Sequence, residues 1–311
     1  MFRTLSLFIA TFFLSLLLCV TPLQATALKK AAPKEVIVSV NKNNITQGDV
    51  DFFMLSRNIP AEQQAKSRKK TIEILIDRRL MSDFLAKRKI TVSPKEIDAR
   101  IKRIHNLVRR KGDDPQKVLK KMGLSEKRLR EEIQLPLLWG REAREIISDT
   151  QLRKYYKKYR REFDGTKIRA KHIFIALKKE ATKEDIQQAE QKLLDIRKKI
   201  EAGDITFAMA AKQYSESPSK KEGGDVGLIR YRGEMPKSFC LVAFQLKVNE
   251  ISQPVRTSFG WHLITVTKIK KGDISLEDVR SVVFNRLAAE LWDELVKQQR
   301  KKATIKWHSK N

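Results

Sequence analysis

The sequence is poor in cysteine, histidine and acid. Its 311 residues include only two cysteines, Cys19 and Cys240. Two cannot build a disulfide framework or a Cys-rich zinc site. The four histidines are His105, His172, His262 and His308, and none sits at metal-ligand spacing from another. A His-based metal centre has little room, and neither metal nor cofactor is expected. Asp and Glu number 37 against 65 Lys and Arg, a net charge of +28. Beyond residue 20 no stretch approaches the roughly 18 uninterrupted apolar residues of a membrane-crossing helix. With 41% hydrophobic and 33% charged residues the chain is globular but strongly wetted, and its length suits about two domains.

One apolar run is present, at the start. Met1-Phe2-Arg3 gives a positive beginning, Leu5 to Val20 carries no charge, Pro22 breaks the run, and Ala25-Thr26-Ala27 offers a small-x-small cleavage site. Residues 1–27 therefore read as a cleavable secretory signal peptide. An uncleaved anchor is the weaker alternative. A lipid anchor on Cys19 is weaker still, because Leu18 stands where a small residue is expected. After cleavage Cys240 is left alone, so no intramolecular disulfide can form.

Export changes how the basic charge is read. A strongly basic chain ordinarily suggests nucleic acid. An exported chain rarely meets it, and no nucleic-acid partner is expected. Residues such as Arg100, Lys102, Arg103, Arg109, Arg110 and Lys111 read as a solvated helix face. A basic surface also suits anionic membranes or acidic unfolded polypeptides.

The mature chain falls into three blocks. Val36 to Val40 reads as a strand, followed by the turn-like Asn41-Lys42-Asn43-Asn44. Thr46 caps a helix with Asp49 three residues on. A long helix over Ala61 to Lys87 carries Ile72, Ile76, Leu80 and Phe84. Ser93-Pro94-Lys95-Glu96 opens another, with Ile97, Ile101, Ile104 and Val108 on one stripe and Gly112 at its end. Ser125 starts a helix interrupted by Pro136, and Asp149 caps one bearing Tyr155, Tyr156 and Tyr159.

From Lys167 the character changes. Ile168 to Leu177 alternates and reads as a strand. Thr182-x-x-Asp185 opens a helix striped by Ile186, Ala189, Leu193, Ile196 and Ile200, and Thr206 opens a shorter one. A glycine loop, a short helix from Pro236, an extended piece at Ile251 to Val255 and a final strand from Trp261 to Ile269 follow. The order is β-α-α-β-α-β-β. Ser275-x-x-Asp278 then caps a last helix striped by Val279, Val283, Leu287, Leu291 and Leu295. Thr304 to Trp307 reads as a strand without a nearby partner, so pairing with Val36 to Val40 is expected. The expected fold class is α+β: a helical domain from both chain ends with one strand-rich domain inserted. The expected segments are 1–27 leader, 28–165 helical, 166–271 inserted, and 272–311 completing the helical domain.

The middle block resembles the parvulin-type (PpiC-like) peptidyl-prolyl cis-trans isomerases from about Ile168 to Lys270. The resemblance rests on His172-Ile173-Phe174-Ile175, Tyr214-Ser215-Glu216-Ser217-Pro218, Gly223-Gly224-Asp225-Val226-Gly227 and Arg232-Gly233-Glu234-Met235-Pro236-Lys237-Ser238-Phe239. Ala243-Phe244-Gln245-Leu246, Ile251-Ser252-Gln253-Pro254-Val255 and Thr257-Ser258-Phe259-Gly260-Trp261-His262 complete it. Each piece alone is weak, but seven in order are specific. The helical flanks, leader and single insert resemble SurA-like periplasmic chaperones.

Twisting an X-Pro bond needs no nucleophile, metal or cofactor. The uncatalysed barrier is about 18–20 kcal/mol. An apolar pocket that takes the proline ring and keeps water off the imide eases the twist, because hydrogen bonding to the carbonyl suits its resonance-rich planar ground state better than the twisted state. A reduction of about 5 kcal/mol gives roughly four powers of ten in rate. The resemblance implies Met235 and Phe239 as the proline-ring pocket, with Val226 and Phe259 as further wall. It implies His172 and His262 as a pair beside Thr257, and Ser217 at the position where parvulins commonly carry Cys or Asp. His262, Ile264 and Val266 share one strand face, which suits an inward-turned histidine.

The expected function is a periplasmic isomerase and chaperone for unfolded or proline-containing secreted or outer-membrane polypeptides. No membrane span is expected after leader cleavage. The competing expectation is a holdase whose parvulin domain binds clients with little or no isomerase activity.

Overall fold

A computed structural model describes residues 35–121, 125–178 and 180–308. The expected leader and Cys19 lie outside the described residues. The elements run β1 (Val36–Val40), β2 (Asn43–Thr46), α1 (Gln47–Ser56), α2 (Ala61–Lys87), α3 (Pro94–Arg110), α4 (Pro115–Lys121) and α5 (Glu126–Ile146). Next come α6 (Asp149–Lys158), α7 (Arg160–Phe163), β3 (Lys167–Ala176), α8 (Lys183–Glu201) and α9 (Phe207–Tyr214). A 3-10 turn (Pro218–Glu222), β4 (Asp225–Arg230), α10 (Lys237–Ala243), β5 (Val255–Arg256), β6 (Gly260–Lys270), α11 (Leu276–Lys302) and β7 (Ile305–Trp307) complete the chain. The described residues form two compact units. One runs up to Ser148 and resumes at Phe284; the other is Asp149–Val283.

The first unit is helical around a three-stranded antiparallel sheet ordered β2-β1-β7. The first and last described strands pair in that sheet, with Val38 opposite Trp307 and Val40 opposite Ile305. The stretch read as a turn is in part a strand. Asn43 and Asn44 pair with Val40 and Ser39, and the reversal is confined to Asn41-Lys42, where Asn41 takes the left-handed conformation at φ 53°. Asparagine tolerates that conformation better than other side chains.

Helix starts match their signals. Thr46 with Asp49, and Ser93 with Glu96 behind Pro94, both form reciprocal capping boxes. The core joins Ile37, Val38, Val40 and Ile45 to Val50, Phe53, Ile72, Ile76 and Leu80. Two expected stripes drift. On α2 the line continues through Met81 and Leu85, leaving Phe84 half-buried. On α11 the buried line in this unit passes through Ala288, Trp292 and Val296, with Leu287, Leu291 and Leu295 only half-buried. A strict four-residue step overshoots the 3.6-residue turn by about 40° each time, so four steps carry a stripe almost to the opposite face. Trp292 meets Trp139 edge-on at 5.4 Å between ring centroids. Arg300 bridges Glu73 at 2.8 Å and Asp77 at 2.5 Å.

The second unit is a four-stranded antiparallel sheet ordered β4-β3-β6-β5. One face carries Ile168, Ala170, Ile264 and Val266 against α10, through Phe239, Cys240 and Ala243. The other carries Ile173, Ile175, Trp261 and Leu263 against α8 and α9, through Leu193, Ile196 and Ala211. Each face needs its own helices because β3 and β6 alternate apolar residues on both sides. Helices α6 and α7 belong to this unit as well. Arg161 of α7 donates to the Leu246 carbonyl at 2.8 Å.

Candidate active site

Alternation along β3 puts His172 and Phe174 on the α10 face, and β6 puts His262 and Ile264 there too. In the ladder His172 lies opposite Ile264, and Phe174 opposite His262. The two histidines are therefore diagonal neighbours, close enough for their rings to meet. Their Nδ1 atoms are 3.1 Å apart. His172 Nε2 lies 2.9 Å from Ser217 Oγ and 3.1 Å from Ser219 Oγ. His262 Nε2 lies 2.9 Å from Thr257 Oγ1. The Thr257 hydroxyl donates to the Gly260 carbonyl at 3.3 Å and accepts from the Phe259 backbone N–H at 3.2 Å.

Both imidazoles are buried, at 5% and 4% exposure. Burial pushes His172 down to about 4. Burial, then the neighbouring His172 and Arg256, push His262 down to about 3. Both rings are neutral at pH 7, so one Nδ1 donates and the other accepts. The direction turns on Thr257: with its single proton directed to the Gly260 carbonyl, it accepts from His262 Nε2–H. His262 Nδ1 then accepts from His172 Nδ1–H, and His172 Nε2 accepts from a serine hydroxyl.

The apolar part packs around this chain of bonds. Phe239 is fully buried and stands edge-on to both imidazoles, at 5.9 Å and 5.6 Å between centroids. Phe174, half-buried, lies 4.7 Å from His262. Met235 and Val226 are half-buried against the same core. Phe259 is 63% exposed and touches the network through its backbone. His172, Ser217, Thr257 and His262 thus come together in one network with Phe239 at its side. Two participants escape the sequence reading. Phe174 was signalled by its two-residue offset from His172. Ser219 carried no local signal; the 3-10 turn brings it in.

That turn is held by Gly224. It has φ +83°, and a Cβ there would lie 2.4 Å from the His172 carbonyl oxygen. Its own carbonyl accepts from the His172 N–H at 2.9 Å. A side chain at this position would push the serine-bearing turn off β3.

A neutral, interlocked histidine pair on the face of a helix-covered antiparallel sheet is built to shape polarity. The fold is that of a parvulin isomerase domain. Residues 172–268 match the PPIC-type PPIase domain, and residues 1–141 match the SurA-like N-terminal domain. A curated relative, the foldase protein PrsA of a Geobacillus species, is 36% identical over 75% of this chain and 72% of its own. The chaperone SurA of Bordetella avium is 38% identical over 45% of this chain and 28% of its own. Among solved structures, the peptidylprolyl isomerase PrsA from Bacillus anthracis is 24% identical, covering 73% of this chain and 94% of that one, with a TM-score of 0.43. The chain belongs to the PrsA foldase family. It is a peptidyl-prolyl cis-trans isomerase with a chaperone role in folding, and polypeptides are its clients.

Proposed function

We propose that the chain works in the periplasm, reached through a cleaved leader, on unfolded secreted or outer-membrane polypeptides. The isomerase domain is assigned to residues 166–271 and its helical flanks to residues 28–165 and 272–311, of which residues 149–165 and 272–283 fold with the isomerase domain in the second unit. A client proline ring sits against Met235, Val226 and Phe259, with Phe239 as the floor. His172, His262, Thr257 and Ser217 set the polarity around the imide.

The observation that supports this reading is the unbroken run of hydrogen bonds from Ser217 through His172 and His262 to Thr257. The run presents hydroxyls and neutral imidazoles, and a twisting imide needs no stronger group. Weak hydrogen bonding leaves the carbonyl less tied to its planar resonance form. A protease-coupled assay with an X-Pro peptide tests the site. Met235→Ala is expected to lower kcat/KM at least tenfold. A rate within a factor of about two of the parent would remove Met235 from the site.

A further inference from the structure

The sheet face that carries α8 and α9 is only half covered. Along β3 that face holds Lys167, Arg169 and Lys171 before it reaches Ile173 and Ile175. Across the ladder, Lys167 is paired with Arg230 on β4 and Lys270 on β6. Arg169 is paired with Leu228 and Lys268. Residues directly opposite each other in a ladder share a face. The uncovered end therefore presents two rungs, Arg230–Lys167–Lys270 and Leu228–Arg169–Lys268.

Five of these six residues are cations, all six are exposed, and Leu228 among them is 52% exposed. Arg169 is paired with Asp225 at 2.8 Å and Arg230 with Glu234 at 3.2 Å. Lys167, Lys268 and Lys270 make no ion pair among the described residues. Like charges set opposite each other weaken a sheet. Folding alone gives no reason for such an array.

We infer that this patch is a docking surface for an anionic lipid bilayer. The charge selects an anionic partner. Strand side chains stand perpendicular to the sheet, so three neighbouring strands hold their cations in a broad layer suited to a flat array of phosphates. An exposed leucine amid lysines matches the boundary between headgroups and acyl chains. Position also separates this partner from the isomerase client. Lys171 and His172 are consecutive on β3 and point to opposite faces, so a surface bound at the lysines leaves the histidine site free.

The test uses the full mature chain and vesicles of phosphatidylglycerol with phosphatidylcholine, against phosphatidylcholine alone. Binding is expected only to the anionic vesicles, and weaker at high salt. Replacing Lys167, Lys268 and Lys270 together by Gln is expected to weaken it roughly a hundredfold, since each cation near such a surface is worth about 1 kcal/mol. Isomerase turnover of a short peptide should stay unchanged, which also shows that the variant is folded. A control replacing the exposed Lys183, Lys192 and Lys198 of α8 by Gln should change binding less than threefold. Equal losses in the two triple variants would show net charge alone at work and overturn the patch. Binding through the three lysines of poly-glutamate or an RNA oligomer, but not of vesicles, would overturn the lipid assignment.

Discussion

His172 and His262 meet through their Nδ1 atoms at 3.1 Å, although neither faces the other across the strand ladder. The diagonal offset makes this contact possible, and neutrality forces opposite tautomers on the two rings. Donation from Thr257 to Gly260 calls for the proton of His172 on Nδ1 and that of His262 on Nε2. Long-range nitrogen–proton spectra of ring-labelled protein are expected to show this pair of tautomers at pH 7. Two identical tautomers would break the directed chain from Ser217 to Thr257.

The same burial makes stability depend on pH. Above about 6.5 both rings are neutral whether folded or unfolded. As pH falls below that value the unfolded chain takes up protons that the folded chain refuses, so stability falls. The loss continues until pH passes the folded values of about 4 and about 3. After correction for intrinsic chemistry, amide exchange on β3 and β6 is expected to accelerate steadily between pH 6.5 and 4, with a total loss on the order of several kcal/mol. His172→Phe should flatten part of that slope. Exchange rates that, after correction for intrinsic chemistry, stay constant over the window would show that the histidines titrate normally.

Thr257→Val preserves shape and removes the hydroxyl. It leaves the His262 Nε2–H without its acceptor in a buried site. The expected cost is about 1–3 kcal/mol of stability. It should also return His262 to a mixture of tautomers. A variant as stable as the parent, with His262 still protonated on Nε2 alone, would mean that another group accepts that proton.

Local signals were the legible ones. Thr46, Ser93, Ser125, Thr182 and Thr206 all cap helices where the sequence places them, because a cap involves only a few neighbouring residues. The pairing of β7 with β1 was legible by elimination, since the strand at Ile305 has no nearby partner. The strand at Asn43–Thr46 was not, because its polar residues are extended only through pairing with β1. In the site, two-residue alternation exposes the inward histidines. Ser219 is invisible in the same reading. Its place depends on Gly224 lying against the His172 carbonyl, a contact between residues far apart in sequence.

Met235 and Phe239 call for different tests because they are buried differently. Phe239 has no exposed surface and packs on both imidazoles. Phe239→Ala is expected to cost about 3–5 kcal/mol through the cavity it leaves. Activity lost in that variant therefore reports on folding as much as on substrate contact. Met235 is half-buried, so Met235→Ala should shift the thermal midpoint little while cutting kcat/KM. An effect on KM larger than on kcat would mark it as holding the proline ring in ground and transition states alike.

The last prediction concerns the chain ends. Trp292 stacks edge-on against Trp139, Arg300 is held by Glu73 and Asp77, and β7 closes the sheet beside β1. These contacts lie within the helical unit, so their loss should be felt there first. Trp292→Ala is expected to destabilise that unit by about 3–5 kcal/mol. Removing residues 303–311 strips one side of β1 of its ladder partner and should expose the amides of β1 that pair with β7. Hydrogen exchange resolved by peptide distinguishes the units: β1 and α2 should lose protection in both variants, while β3 and β6 keep theirs. Equal loss in β3 would show that the two units unfold as one, and intact protection in β1 would show that β7 contributes nothing to holding the helical unit together.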